Sequence, residues 1–459
     1  MARSSLASVQ LDVGEEPDEL PRPDPDLPFR ILVAGNFSGG AGRLRKAVAV
    51  DRDNFDQVMA LLTPELRLEL AGAAVPIRFR EVDDFHPDAL FDRLAPFAAL
   101  RDLRRRLSDR ATYAEAVAEI APPAAAPASP VPDLSGADLL RDMMGEPPAA
   151  AAPAPARSDW DHMLHSLVAP YAEPKPDRRQ AEWVAQTDAA ITGQMRALLH
   201  HRDFQEMEAA WRGLFFLIRR LETGESLKVF VLDMPQEQLL SAEGLATLRR
   251  IAAEETTGTP GGTPWSVIAG LYEFAPEHET ALLQIAAIAR RAGAPFLAGV
   301  APQVMSLSAS LRRSPDARWI GLVLPRFLLR LPYGQATEST ERFDFEEMPS
   351  LPEHQRYLWG NPSIACACLL GEAFTNSGWE MRPGEVNDIG GLPVHVYKTA
   401  DGDSEMKPCA EVLLTEEAAL LLLGRGFMPL ASIKDSDRVR LVRFQSIAEP
   451  TARLAGRWE

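Results

Sequence analysis

The residues with the widest chemical reach fall in a few short stretches. His200 and His201 are adjacent in QMRALLHHRDFQEMEAAWRGLFFLIRRL (194–221). A metal or acid–base role would need a third group at helical spacing, and neighbours on a helix diverge by about 100°. A structural role is expected of both. Arg326 and Arg330 interrupt the apolar run LPRFLLRLPYG. Guanidinium groups so placed are expected in buried or interface ion pairs. Glu338, Glu341, Asp344 and Glu346 are the acidic candidates nearby. The carboxylates of DFEE (344–347) read as solvated surface rather than a paired acid and base. Cys366 and Cys368 lie in IACACLL, and Cys409 stands alone. On a strand the first two would share a side, but two thiols make a poor zinc site. Buried small hydrophobes are expected. SGGAG (38–42) follows the apolar run FRILVAGNF, yet it lacks a GK(S/T) ending and GxGxxG spacing, so a plain turn is expected rather than a phosphate cradle. HExxH, GxSxG and CxxC are all missing. No catalytic, cofactor or metal site is expected, and no cofactor.

The elements that must hold these residues centre on 194–221. Phe204, Met207, Trp211, Leu214, Ile218 and Leu221 recur in steps of three and four, one face of a helix. One long amphipathic helix is predicted, with Phe204, Trp211 and Leu214 as core or interface residues. The strand LKVFVLDM (227–234) follows. Downstream, apolar runs predict strands at 265–274 and 295–302, and periodicity predicts helices at 236–253 and 278–293. Residues 317–334 read as a buried strand and turn or a short helix. Residues 356–374 read as helical in their second half, with Trp359 ahead as a core or interface residue. Residues 411–430 read as a strand, a helix and a Gly-ended turn, and 439–447 as a closing strand. His86 beside Pro87 reads as a local contact at a helix start. The fold class expected is α/β, mixed sheets flanked by helices, with a small N-terminal module and a larger C-terminal domain.

Four segments are expected. Residues 1–27 are an extended arm, in which SVQLDV (8–13) alternates as a sheet edge would. Residues 28–110 form the small module, with a hairpin from LRLEL and VPIRFREV. Residues 111–158 are an Ala/Pro linker, which lacks the apolar surface to fold. It carries one short helix at 135–145, where Leu139, Leu140, Met143 and Met144 form an apolar patch suited to docking in a groove. Residues 159–459 form the larger domain.

The net charge of −17 argues against nucleic acid or an anionic membrane as principal partner. Three cysteines without a framework suit a reducing compartment. The N-terminus lacks a signal-peptide core, and no apolar run reaches membrane-spanning length. A cytoplasmic protein without direct membrane insertion is expected.

Two stretches carry a family resemblance. PFRILVAGNFSG, VDRDNFDQVMALLTPELRLEL and FREVDDFHPDAL resemble the small sheath subunit of bacterial type VI secretion systems (TssB, or VipA). LLHHRDFQEMEAAWRGLFFLIRR, LPRFLLRLPYG, FDFEE, YLWGNPSIACACLL and GFMPLASIKDSD resemble the large sheath subunit (TssC, or VipB). The resemblance implies a contractile sheath protomer acting through protein contacts and converting no substrate. In that family the two subunits pair, and the pairs stack around a tube of Hcp. A ClpV-type AAA+ unfoldase recycles the sheath by gripping a short helix near the start of the large subunit. By position, Leu139, Leu140, Met143 and Met144 match that helix. The implied partners are other sheath protomers, an Hcp-type tube protein, and a ClpV-type unfoldase or baseplate proteins. The pattern departs from the family in that both halves share one chain. The small half also lacks part of its helical extension, and the large half stops at RFQSIAEPTARLAGRWE, short of the family's C-terminal region. These departures raise a second expectation, a sheath-like cap, baseplate adaptor or assembly regulator that does not itself polymerise.

Overall fold

Strands of a parallel sheet are covered on both faces, so they read as nearly unbroken apolar runs. FRILVAG, LKVFVLD, VIAGLYEF, FLAGV and IGLVL are such runs. In the computed structural model they are β1 (Phe29–Gly35), β5 (Leu227–Asp233), β6 (Val267–Phe274), β7 (Phe296–Val300) and β8 (Ile320–Leu324). The structure describes residues 23–40, 46–70, 72–120, 178–257, 262–301, 306–349 and 351–459. These fall into two compact units, one containing residues up to Ala95 and from Thr192 onward, the other Pro96–Ile191. The N-terminal arm through residue 22 and the expected linker helix with Leu139, Leu140, Met143 and Met144 lie outside the described residues.

The larger unit is built on a nine-stranded sheet. Its parallel centre runs β5, β1, β6, β7, β8 and β14 (Phe427–Ser432). Antiparallel strands close both edges: β2 (Val48–Val50) beside β5, then β15 (Val439–Leu441) and β11 (Asp388–Ile389) beyond β14. Alternate strand residues share a face. Leu32, Ile268, Phe296 and Leu322 join one core with α7 (Ala242–Arg249) and α8 (Glu279–Ala292). The other face is covered by α6 (Arg202–Arg220) and α9 (Pro362–Ser377), whose Phe374 stacks on Phe29 of β1 at 4.9 Å. The α/β class expected from the sequence is the class observed.

The expected hairpin is β3 (Glu65–Leu70) paired with β4 (Ala73–Arg78), with Leu66, Leu68, Val75 and Ile77 buried. Short strands β9 (Phe327–Leu328) and β10 (Trp359–Gly360) pair with each other, as do β12 (Val396–Lys398) and β13 (Ser404–Met406). Helix α1 (Phe55–Leu62) precedes the hairpin, and α2 (Pro87–Arg93) follows it. At the start of α2 the His86 Nδ1 accepts the Asp88 N–H, a local contact. Helix α10 (Glu416–Gly424) precedes β14.

The smaller unit holds most of α3 (Ala95–Ser108), α4 (Tyr113–Ile120) and most of α5 (Arg178–Leu199). The α4 helix lies within the stretch read as linker. Arg104 pairs with Asp188, and the Gln180 amide donates to the carbonyls of Leu107 and Ser108.

Two expectations need correction. The helix predicted over 194–221 is two helices, α5 and α6. His201 between them has φ −65° and ψ 132°, and its ring nitrogen accepts the Asp203 N–H at 3.3 Å. A side chain that caps the backbone outcompetes helix continuation here. Residues 411–414 form no strand; Glu411 is held instead by Arg326, through backbone and side chain. Cys366 and Cys368 lie on helix α9, in the half of 356–374 read as helical, and both are fully buried, as expected of small hydrophobes.

Candidate functional interface

Strand β1 pairs with β5 along its whole length, from Phe29 opposite Leu227 to Gly35 opposite Asp233. On its other side Ile31 to Ala34 pair with Val267 to Gly270 of β6. A strand from the start of the chain is thus interior to a sheet otherwise made mostly of late residues. Phe29, Ile31, Leu32 and Val33 are fully buried. Just before β1, the Trp379 indole donates to the Leu27 carbonyl at 2.7 Å. Just after it, Asp233 Oδ1 accepts the backbone N–H groups of Phe37 and Ser38 at 2.9 and 3.1 Å. Trp211 of α6 donates to the Phe37 carbonyl at 3.0 Å and meets the rings of Phe37 and Phe55 edge-on.

The same early segment is fastened at two further points. Arg52 donates to the carbonyls of Ile218 and Arg219 at the C-terminal end of α6, where the helix dipole favours a cation. The Asp88 carboxylate accepts the backbone N–H groups of Glu341 and Arg342, and Phe91 stacks on Phe343 at 4.5 Å.

A buried charge cluster braces α6 against residues 330–347. Arg330 Nε donates to Glu208 Oε1 and its Nη1 to Glu347 Oε2, both at 2.7 Å. Arg212 donates to Glu208 at 2.7 Å and to the Tyr333 hydroxyl at 2.9 Å. His200 Nε2 lies 3.3 Å from Glu347. Burial by itself would raise the Glu347 pKa, but Arg330, His200 and the Tyr333 N–H hold it down at about 2. Charges buried this deeply persist only when paired and hydrogen-bonded.

Of the residues singled out in the sequence, Phe204, Trp211 and Leu214 are fully buried on α6, and Trp359 is buried with its indole bonded to the His354 carbonyl. Arg330 joins them through Glu208. Arg326 stands apart and is 37% exposed, bonded bidentately to Glu411 and 3.5 Å from Glu273. None of the four acidic partners expected for the two arginines is used. Glu347, read as solvated, is fully buried. Glu208 was missed. Its signal is a carboxylate four residues after Phe204 and three before Trp211, on the apolar stripe itself.

A cleft of about 880 Å³ opens at the carboxyl ends of β1, β5, β6 and β7, lined among others by Asn36, Pro235, Tyr272, Glu273 and Ala301. After β1 the Phe37 and Ser38 amides already serve Asp233. Among the described residues no cluster of His, Cys, Asp and Glu could hold a metal, and no helix is long and apolar enough to cross a membrane.

Comparison with known proteins assigns the two parts of this interface to two families. Residues 181–310 and 307–448 match the VipB model, described as EvpB, tail sheath N-terminal domain. Residues 17–121 match the type VI secretion system VipA model. The type VI secretion system sheath protein TssC1 of Pseudomonas aeruginosa is 33% identical over 308 residues, covering 58% of this chain and 61% of the relative. The chain therefore spans less than two thirds of that relative's length. With the VipB match covering more than half of the polypeptide and a VipA match ahead of it, the chain belongs to the VipB tail sheath family of type VI secretion systems and carries a VipA-like segment on the same polypeptide.

Proposed function

We propose that the protein is a structural component of a type VI secretion contractile sheath, in which the VipA-like and VipB-like parts form one protomer that acts through protein contacts. The supporting observation is that β1, from the VipA-matched segment, is an interior strand between β5 and β6 of the VipB-matched segment. Two subunits that share one sheet move as one body, so contraction would repack contacts between protomers and leave this sheet intact. Other copies of the protomer are the primary partners. An Hcp-type tube would lie inside the assembly. A ClpV-type unfoldase would grip the segment with Leu139, Leu140, Met143 and Met144. The substrate-free reading rests on the family, whose relative is named for a sheath.

Negative-stain microscopy of the purified chain, alone and with an Hcp-type tube protein, tests this reading. Rings or tubes are expected. Monomers or small oligomers under both conditions would refute the sheath role and leave the cap or baseplate adaptor. Binding of a peptide covering 132–148 to an unfoldase N-domain, measured by calorimetry, tests the recycling contact; no heat of binding would refute it.

A further inference from the structure

The cleft at the carboxyl edge of the sheet lies where an open α/β fold usually presents its ligand site, since the chain reverses direction across the sheet between β1 and β6. In nucleotide-binding folds the amides after the first strand meet a phosphate. Here Phe37 and Ser38 donate to the buried Asp233 carboxylate, so a second anion would meet a negative charge in place of free donors. The lining repeats that preference. Asp203, Glu206, Glu237 and Glu273 line the cleft, and its basic residues are Arg202, Arg326 and His278. Arg202 is bonded to Glu206 at 2.7 Å, and Arg326 gives its Nε and Nη2 to Glu411, leaving Nη1 toward Glu273. Glu273 keeps one ion contact, 3.5 Å from Arg326. Burial raises its pKa despite that neighbour.

A second, apolar pocket of about 140 Å³ adjoins the cleft, with Glu273 and Arg326 lining both. Val300, Val323, Leu324, Pro362, Val412 and Leu414 supply its walls. Beside it Val412 and Leu413 project into solvent, Leu413 being 61% exposed. An apolar socket next to an underpaired carboxylate is complementary to one kind of ligand: an aliphatic side chain with a cationic one close by.

We infer that this edge of the sheet is a docking groove for a partner polypeptide bearing a Lys or Arg near an aliphatic anchor, the cation meeting Glu273 and the anchor filling the pocket at Leu414. The inference goes beyond the sheath reading, because the groove is a concave site on a single protomer and is not a sheet edge that another strand could extend.

The test uses the full chain and three fluorescein-labelled peptides of equal length, built from Leu-Lys, Leu-Ser and Leu-Glu repeats, read by fluorescence anisotropy. The Leu-Lys peptide is expected to bind, with affinity falling as salt rises from about 50 to 300 mM. Glu273→Gln and Leu414→Ala are each expected to weaken it about tenfold. Circular dichroism and thermal melts establish that both variants are folded, and a melt shifted for one leaves the other as the readout. Equal binding of Leu-Ser and Leu-Lys, preference for Leu-Glu, no binding of any peptide, or binding unchanged in both variants would each overturn the inference. Microscopy of Glu273→Gln separates the two proposals: assembled tubes that have lost the peptide retire neither, whereas a wild-type chain that forms no tubes but binds the peptide retires only the sheath role.

Discussion

Arg330 on the segment after β9 and Glu208 in the middle of α6 are joined at 2.7 Å, with the carboxylate fully shielded from solvent. The pair lies 122 residues apart in sequence. Because Glu347 and Arg212 complete the cluster, removal of one member leaves an uncompensated buried charge. Glu208→Ala or Arg330→Ala is expected to cost about 3–5 kcal/mol in urea unfolding, while replacement of the whole cluster by apolar residues should cost much less. A single substitution with a loss under about 1 kcal/mol would show that the cluster is solvated.

The same cluster sets an acid limit. The folded-state pKa of Glu347, about 2, lies below the ordinary carboxylate value of about 4.3. A depressed carboxylate contributes stability that is complete above the unfolded value and lost as pH falls toward the folded one. Unfolding free energy is expected to decline from about pH 4.5 down toward pH 2, and Glu347→Gln should flatten that slope while lowering stability at neutral pH. Parallel pH profiles for wild type and variant would refute the assignment.

The central strands were legible because a strand covered on both faces must be apolar at nearly every position. Nothing outside the local sequence is needed to see FRILVAG or IGLVL. The stripe from Phe204 to Leu221 was legible for the same reason. The break at His201 was not, because apolar residues continue on both sides of it, at Leu198, Leu199 and Phe204, and the cause is one side-chain cap. Charge partners were the least legible part. Choosing acids near Arg326 and Arg330 in sequence missed Glu411 and Glu208, which arrive from elsewhere in the fold. It also missed Glu347 by one position: Glu346 turns to the Gln335 N–H while Glu347 turns inward. The cleft was invisible, since its lining is assembled from the ends of four strands, the first turns of α6 and the segment ahead of α9.

Asp233 offers a second stability test with a ligand readout. Asp233→Ala leaves the buried Phe37 and Ser38 amides without their acceptor, an expected loss of about 2–4 kcal/mol. The vacated donors then face a turn able to take an anion. Sulfate is expected to raise the melting temperature of the variant more than that of wild type at matched ionic strength. Equal sulfate effects on both would show that the amides had found another partner.

All three thiols are sealed. Cys366 and Cys368 are buried in α9, and burial pushes their pKa values up; the same effect raises Cys409 to about 11. A thiolate is the reactive form, so all three should resist a disulfide reagent at pH 8 in the native state and react together on unfolding. One thiol reacting fast under native conditions would mark a local opening of its element.

The interior position of β1 predicts what cutting the chain does. A specific protease site placed between residues 145 and 158 lets the VipA-like and VipB-like parts be separated covalently after folding. Strand β1 has hydrogen-bonded neighbours on both sides, and its loss would expose Phe29, Ile31, Leu32 and Val33 and open the backbone edges of β5 and β6. Burying one such side chain is worth about 1.5–3 kcal/mol, so several at once outweigh the entropy gained on release. The two fragments should therefore co-elute in size-exclusion chromatography after complete cleavage and part only in denaturant. Trp211→Ala, which removes the indole bonded to Phe37 and packed on Phe55, should lower the denaturant concentration at which they part. Fragments that separate in native buffer would mean that β1 is held by the linker rather than by the sheet.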